Sequence, residues 1–204
     1  MAITYASLDA LREDLRKCRR CAGAGHRIES RPVFSGPADA PVLLIGQAPG
    51  INDVETLRPF DGDAGKRLFK WLSRVGWTED YFRTHFAFTS VTKCFPGKAN
   101  TGSGDRVPSA EERELCRPWL DGELAFIKPR LIIPVGTLAI RLFYQGDVKL
   151  EQVVGEFIVD ENGSKVVPLP HPSGASRWHQ DPANVGRIEK AIFLLRVFKH
   201  ELEL

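Results

Sequence analysis

The sequence predicts an α/β fold, a three-layer α/β/α sandwich on a mostly parallel central sheet. One observation is the run Val42-Leu43-Leu44-Ile45, apolar at every position, as befits a strand buried on both faces. A second is the alternation of such runs with amphipathic helical stretches, which parallel strands need for their crossovers. A third is size. The chain has 204 residues, 43% of them hydrophobic, enough to bury one core, so a single domain over residues 1–204 is the expected division.

Ser7 to Arg20 reads as the first helix, with Leu8, Leu11 and Leu15 at helical spacing and Ser7 as N-cap. Residues 22–40 are Gly- and Pro-rich and irregular, with a short strand at Pro32-Val33-Phe34. The strand Val42 to Ile45 runs into Gly46-Gln47-Ala48-Pro49-Gly50, which cannot extend it: Pro49 lacks a donor, and Gly50 permits a sharp turn. Ala64 to Val75 is a helix, with Leu68, Leu72 and Val75 on one face and Gly76 as its stop. Phe86 to Val91 is the second strand, ending at Lys93-Cys94, and residues 95–108 form a surface loop. Ser109-Ala110-Glu111-Glu112 has the pattern of a capping box and opens a helix through Ile127. Arg130 to Val135 is the third buried strand, followed by a helix over Leu138 to Tyr144. Glu156 to Val159 and Lys165 to Leu169 are strands around the turn Glu161-Asn162-Gly163. Residues 171–182 form a loop, and Asn184 to Leu204 is a final helix with Ile188, Ile192, Leu195 and Phe198 inward.

Composition narrows the function. No apolar run approaches the roughly 20 residues that a membrane helix needs. The N-terminus enters a charged helical pattern without a signal peptide, so a cytoplasmic protein with no membrane association is expected. A net charge of +2 excludes a generic polycation and leaves room for a local basic face. Four cysteines in a reducing compartment point to metal binding or reactivity rather than disulfides. Cys18 and Cys21 form a C-x2-C pair; Cys94 and Cys116 flank the 95–108 loop and the start of its helix. Four thiolates suit zinc or an iron–sulfur cluster, which spacing does not separate, and either would staple segments with little core of their own. The alternative is four buried, unconnected thiols.

The chemistry gathers where strands end, because ligands of open α/β sheets lie outside the carboxyl ends of the strands. Past the first strand stand Gln47, Asn52, Asp53 and Glu55, so a carboxylate enters that crevice. Arg58-Pro59-Phe60-Asp61-Gly62 then presents Phe60, whose flat face serves either core packing or a planar ligand. His171 follows the last strand between Pro170 and Pro172, at the same edge as Asp53, and suits a hydrogen-bond donor to developing charge. Small residues follow it, then Arg177, Trp178 and His179, fitted to meet phosphates and bases.

In order and spacing, Gly46-Gln-Ala-Pro-Gly50 with Asp53, Arg58-Pro-Phe60-x-Gly-x-Ala-Gly65, Thr89-Ser-Val-Thr-Lys-Cys94 and His171-Pro-Ser resemble the uracil-DNA glycosylase superfamily. The four cysteines resemble its iron–sulfur branch, family 4. The resemblance implies a monofunctional DNA repair hydrolase of the same fold. It would flip a deaminated base, uracil first, out of single- or double-stranded DNA and hydrolyse the N-glycosidic bond.

By the same resemblance Cys18, Cys21, Cys94 and Cys116 hold a structural [4Fe–4S] cluster, with zinc as the alternative. Asp53 positions or activates the water, and Ala48 replaces the aspartate used for that in another branch. Gln47 stands where family 4 usually has Glu. Phe60 stacks on the flipped base and His171 bonds uracil O2. Ser173, Gly174, Ala175, Ser176 and Arg177 enter the minor groove. Ser90 stands where family 4 has the Asn that reads uracil, which widens the expected range to hypoxanthine or xanthine. The 95–115 loop is longer than usual, with Lys98 and Arg106 either on DNA or solvated. A monomer is expected. The rival reading of a different class is a metal-stapled nucleic-acid-binding protein without catalysis, which would not need Asp53.

Overall fold

The computed structural model describes residues 5–28, 30–100, 104–174 and 178–204. In chain order the elements are α1 (Leu8–Arg16), α2 (Arg20–Gly23), β1 (Val42–Gly46), α3 (Ile51–Thr56), α4 (Asp63–Val75), α5 (Glu79–His85) and β2 (Ala87–Ser90). They continue with α6 (Ala110–Ile127), β3 (Leu131–Pro134), α7 (Thr137–Ile140), α8 (Leu150–Val153), β4 (Ile158–Val159), β5 (Lys165–Val166) and α9 (Pro182–Glu201), which a 3₁₀ turn at Trp178–Gln180 precedes.

The described strands form one sheet in the order β2-β1-β3-β5-β4. β1 pairs in parallel with β2 and β3, and β3 with β5; only β4 runs antiparallel, as the edge partner of β5. The uniform apolarity of β1 has the expected cause. Val42 and Leu44 pack into a core with Leu68, Leu72, Phe82, Ile192 and Leu195, from α4, α5 and α9. Leu43 and Ile45 face the other way, onto Leu11 and Leu15 of α1 and Trp119 and Leu120 of α6. The three layers are thus helices, sheet and helices.

The caps follow the residues that announced them. Ser7 Oγ accepts the N–H of Ala10 at 3.2 Å. At α6, Ser109 Oγ accepts the Glu112 N–H at 3.1 Å and Glu112 Oε2 accepts the Ser109 N–H at 2.8 Å.

The elements differ from expectation in five places. Pro32-Val33-Phe34 forms no strand, and only Ser35 beside it makes an isolated antiparallel bridge, to Phe88. The first helix stops at Arg16, and Cys21 sits on the separate short turn α2. The strands of the edge hairpin are two residues each, and the path of β5 continues only as an isolated parallel bridge, Val135 to Leu169. α7 closes after Ile140 rather than reaching Tyr144. Three helices were unannounced, α3, α5 and the single turn α8. α5 rests on Thr78, whose Oγ1 accepts the Tyr81 N–H at 3.2 Å. α3 begins directly after Pro49-Gly50, where the sequence reads only as a turn.

Candidate active site

The carboxyl ends of β1, β2 and β3, with the segment after β5, open at one edge. The main chain past β2 stays clamped to the end of β1, with Val91 N–H donating to Gly46 O at 2.9 Å and Thr92 N–H to Gln47 O at 3.2 Å. Gly46 is the point where the pocket residues meet. A Cβ added there would fall 3.0 Å from Cζ of Phe60 and 3.3 Å from Oγ of Ser90. Phe60 and buried Ser90 therefore line one spot beside Gln47 and Ala48, both half-buried.

Phe60 is held there under strain. Its φ is 56°, a left-handed backbone that an aromatic residue rarely adopts. Arg83 donates to the carbonyls of Pro59 and Phe60 at 2.9 and 3.2 Å. Gly65 must lack a side chain, because a Cβ there would overlap the Phe60 carbonyl. The ring packs against the core beside Phe88, centroids 6.5 Å apart, while its Cζ borders Gly46.

Asp53 has a more structural environment than its position in the sequence conveys. Its Oδ2 accepts the Gly50 N–H at 3.1 Å, capping α3, and its Oδ1 accepts the Asp61 N–H at 2.8 Å. One carboxylate thereby ties the turn after β1 to the segment carrying Phe60. Burial raises its pKa, and the N–H donors of Asp61, Gly50 and Phe60 pull it back.

His171 faces the same edge from the segment after β5. A Cβ on Gly136, which has φ 86°, would lie 3.2 Å from the His171 side chain, so this glycine makes room for the imidazole. Nδ1 of His171 accepts the Ser173 N–H at 3.3 Å, which puts the ring proton on Nε2. Burial lowers the His171 pKa, so the ring is neutral and Nε2–H is a donor. The backbone is fixed from below, with Arg67 of α4 donating to the Pro172 carbonyl.

A residue missed in the sequence reading joins the two halves. Asp105 lies in the 95–108 loop, with Oδ2 3.5 Å from where a Cβ on Gly50 would stand. Its charge acts on the His171 imidazole, favouring the protonated form. Asp105 Oδ1 pairs with Lys98 Nζ at 2.7 Å across a short antiparallel bridge. In the sequence the only sign of it was a carboxylate inside the loop that also carries Lys98 and Arg106.

Those two cations are engaged within the chain. Arg106 grips Glu112 two-pronged, at 2.7 and 2.5 Å, and holds that carboxyl down at about 2. A depressed folded-state value means stabilisation that is full above the ordinary value of 4.5 and is lost as pH falls toward 2. Arg106→Ala is therefore expected to lower stability by about 2 kcal/mol. Urea unfolding at pH 7 measures this, and the difference should shrink on acidification below 4.5.

Of the expected DNA-contacting loop, Ser173 is half-buried and Gly174 exposed; Ala175, Ser176 and Arg177 lie outside the described residues. Trp178 and His179 are half-buried and each already has a partner within the chain. Trp178 Nε1 donates to Glu151 at 2.7 Å, and His179 stands edge-on to Trp71 at 5.9 Å.

Cys18, Cys21, Cys94 and Cys116 line one cavity on the α6 side, with Leu15, Pro96 and Glu112. All four are free of disulfides. N–H donors point at two of the sulfurs: Trp119 Nε1 to Cys18 at 3.2 Å and Lys93 N–H to Cys116 at 3.3 Å. Burial and mutual repulsion between thiolates push Cys21 up to about 11 and Cys94 up to about 12. Cys21 and Cys94 therefore stay protonated unless a cationic group lies among the sulfurs. Among the described residues no set of three or more His, Cys, Asp and Glu side chains is grouped as a single metal ion requires. A lone tetrahedral zinc would need sulfurs about 3.8 Å apart. Four cysteines around one cavity are a donor set that a soft metal ion or a sulfur-bridged cluster can take.

Residues 33–194 match the uracil DNA glycosylase superfamily. The chain belongs to that superfamily. A type-4 uracil-DNA glycosylase of Pyrobaculum aerophilum is 32% identical over 151 residues, 70% of this chain and 71% of that protein. The type-4 enzyme of Thermotoga maritima is 30% identical over 167 residues, 81% of each chain. These relatives put the chain in the family 4-like branch. The solution structure of a candidate uracil DNA glycosylase from Methanosarcina acetivorans superposes with a TM-score of 0.50 at 15% identity, over 84% of this chain and 99% of that one, which supports the fold.

Proposed function

We propose that this chain, as one domain and as a monomer, is a uracil-DNA glycosylase of base excision repair acting in the cytoplasm. It flips a deaminated base out of single- or double-stranded DNA and hydrolyses its N-glycosidic bond, leaving an abasic site. The observation that carries this reading is the neutral imidazole of His171, with its proton on Nε2, sharing one strand edge with strained Phe60.

Extrusion of a base costs a few kcal/mol, which stacking on Phe60 partly offsets. As the C–N bond breaks, negative charge grows on the base and positive charge on the sugar. His171 Nε2–H meets the first, at uracil O2. For the second, and for the water, the chain has two carboxylates with separate duties. Asp53 shapes the crevice through its bonds to Gly50 and Asp61 and adds its charge. Asp105 holds the water over the Gly50 turn.

Asp53→Asn turns one acceptor into an amide donor facing a backbone N–H. Thermal melting and single-turnover excision should both fall, with DNA affinity nearly unchanged; lost binding would take Asp53 out of the chemistry. Cys18, Cys21, Cys94 and Cys116 would hold a [4Fe–4S] cluster. When bound, that group is a structural cross-link between α2, the 95–108 loop and α6, and it takes no part in bond cleavage.

Ser90 sets the base range. One short hydroxyl donates and accepts through a single atom, whereas an amide sets a donor and an acceptor side by side along a base edge. Ser90→Asn is expected to raise selectivity for uracil over hypoxanthine at least tenfold, measured as the ratio of excision rates. The function itself is tested by an excision panel on uracil, hypoxanthine, xanthine and thymine mispairs, in single and double strands. Release of uracil is the expected result; binding without release of any base favours the non-catalytic reading.

A further inference from the structure

Beneath the pocket, on the α6 face of the sheet, lies an ion pair that the reaction does not use directly. Lys93 and Glu123 are 1% and 0% exposed. Lys93 Nζ lies 2.8 Å from Glu123 Oε2 and donates to Thr89 Oγ1 at 2.6 Å and to the Ser90 carbonyl at 2.7 Å. Thr89 Oγ1 in turn donates to Glu123 Oε2 at 2.5 Å. The second oxygen of Glu123 faces Arg12 Nε at 3.9 Å.

Burying such charges is expensive, and an apolar pair of similar volume is often as stable or more so. Stability alone therefore gives a poor account of them. Their placement gives a better one. The main chain of Lys93 is pinned as well, its N–H on Cys116 Sγ at 3.3 Å and its carbonyl taking the Val33 N–H at 2.7 Å. Successive strand residues face opposite ways, so with Thr89 turned to Glu123 the Ser90 side chain faces the other side, where Phe60 stands; the bond from Lys93 to the Ser90 carbonyl holds the strand end in that orientation.

We propose that Lys93, paired with Glu123, is a positioning residue: it fixes the end of β2 so that Ser90 faces the base pocket, and links that pocket mechanically to the cysteine cavity. The effect on excision rests on the glycosylase reading; the effect on the backbone does not.

The test is the double variant Lys93→Met/Glu123→Leu, which removes both charges of the pair; Arg12 loses its contact with Glu123 but keeps its hydrogen bond to the Gly36 carbonyl at 2.6 Å. Hydrogen exchange at Val91 and Thr92, whose N–H groups clamp β2 to β1, should speed at least tenfold. Excision at saturating enzyme should fall at least tenfold, while affinity for uracil-free oligonucleotide stays within twofold. Lys93→Arg, which keeps the charge, should restore part of the rate. Unchanged exchange overturns the proposal even if the wild-type protein excises nothing, an outcome that would by itself sink the glycosylase reading. Faster exchange with wild-type excision also overturns it, since the pair would then serve only stability. If the double variant does not fold, Thr89→Val loosens the same contacts and is judged by the same two readouts.

Discussion

Replacing His171 with alanine is expected to slow single-turnover uracil excision by roughly a hundredfold or more, the usual cost of deleting one donor to a developing anion. Affinity for DNA should change little, because the contact gains its strength only as charge builds on the leaving base. The tautomer gives the pH dependence a definite sign. Burial lowers the pKa of His171, so the ring stays neutral as pH falls through 6.5, its ordinary value. Protonation would put a second N–H on Nδ1, opposite the N–H of Ser173, and break the contact that orients the ring. Excision should therefore hold through 6.5 and decline only below it. Folding stability follows the same sense. The unfolded chain binds the proton first, so stability is full above 6.5 and is lost as pH falls below it. Rates in stopped-quench assays across pH 5 to 8 check this, and a decline centred above 6.5 would contradict it.

The second large effect is expected at Asp105. Asp105→Ala should lower the excision rate by about a hundredfold, in the range lost when a positioned base is removed. The argument is one of availability. Both oxygens of Asp53 are taken by backbone N–H groups, whereas Asp105 commits Oδ1 to Lys98 and turns Oδ2 to the Gly50 turn. The charge of Asp105 also favours protonated His171, so its removal should move the acid decline of the remaining activity to still lower pH. A variant with normal rate would return the water to Asp53 alone. A normal rate with a shifted pH profile would leave Asp105 as an electrostatic neighbour only.

The fold was legible because its signals were local. Val42 to Ile45 announced a doubly buried strand, Ser109 with Glu112 a capped helix, and Gly76 a stop. The candidate site was legible as far as its residues sit at or just past strand ends, as Ser90 and His171 do. What escaped depended on contacts far apart in sequence. Nothing near Asp53 foretold that its carboxylate would bind the N–H of Asp61 and so carry the Phe60 segment. Asp105 reaches the crevice only because the loop folds back over α3 through the Lys98–Asp105 bridge. Lys98 and Arg106 looked like candidates for phosphates, yet each has a carboxylate partner within the loop or at the start of α6. Trp178 and His179 were read for phosphates and bases on residue type alone; both stay half-exposed, each with a tertiary partner.

The central claim is that His171 and a carboxylate meet at the two ends of one C–N bond. It is tested most directly by the structure of this protein bound to DNA carrying 2′-fluoro-2′-deoxyuridine, whose glycosidic bond resists cleavage. The account predicts the flipped uracil stacked on Phe60, O2 within hydrogen-bond distance of His171 Nε2, and the anomeric carbon on the side of Asp105. A base left in the duplex, or seated away from Phe60 and His171, would contradict it.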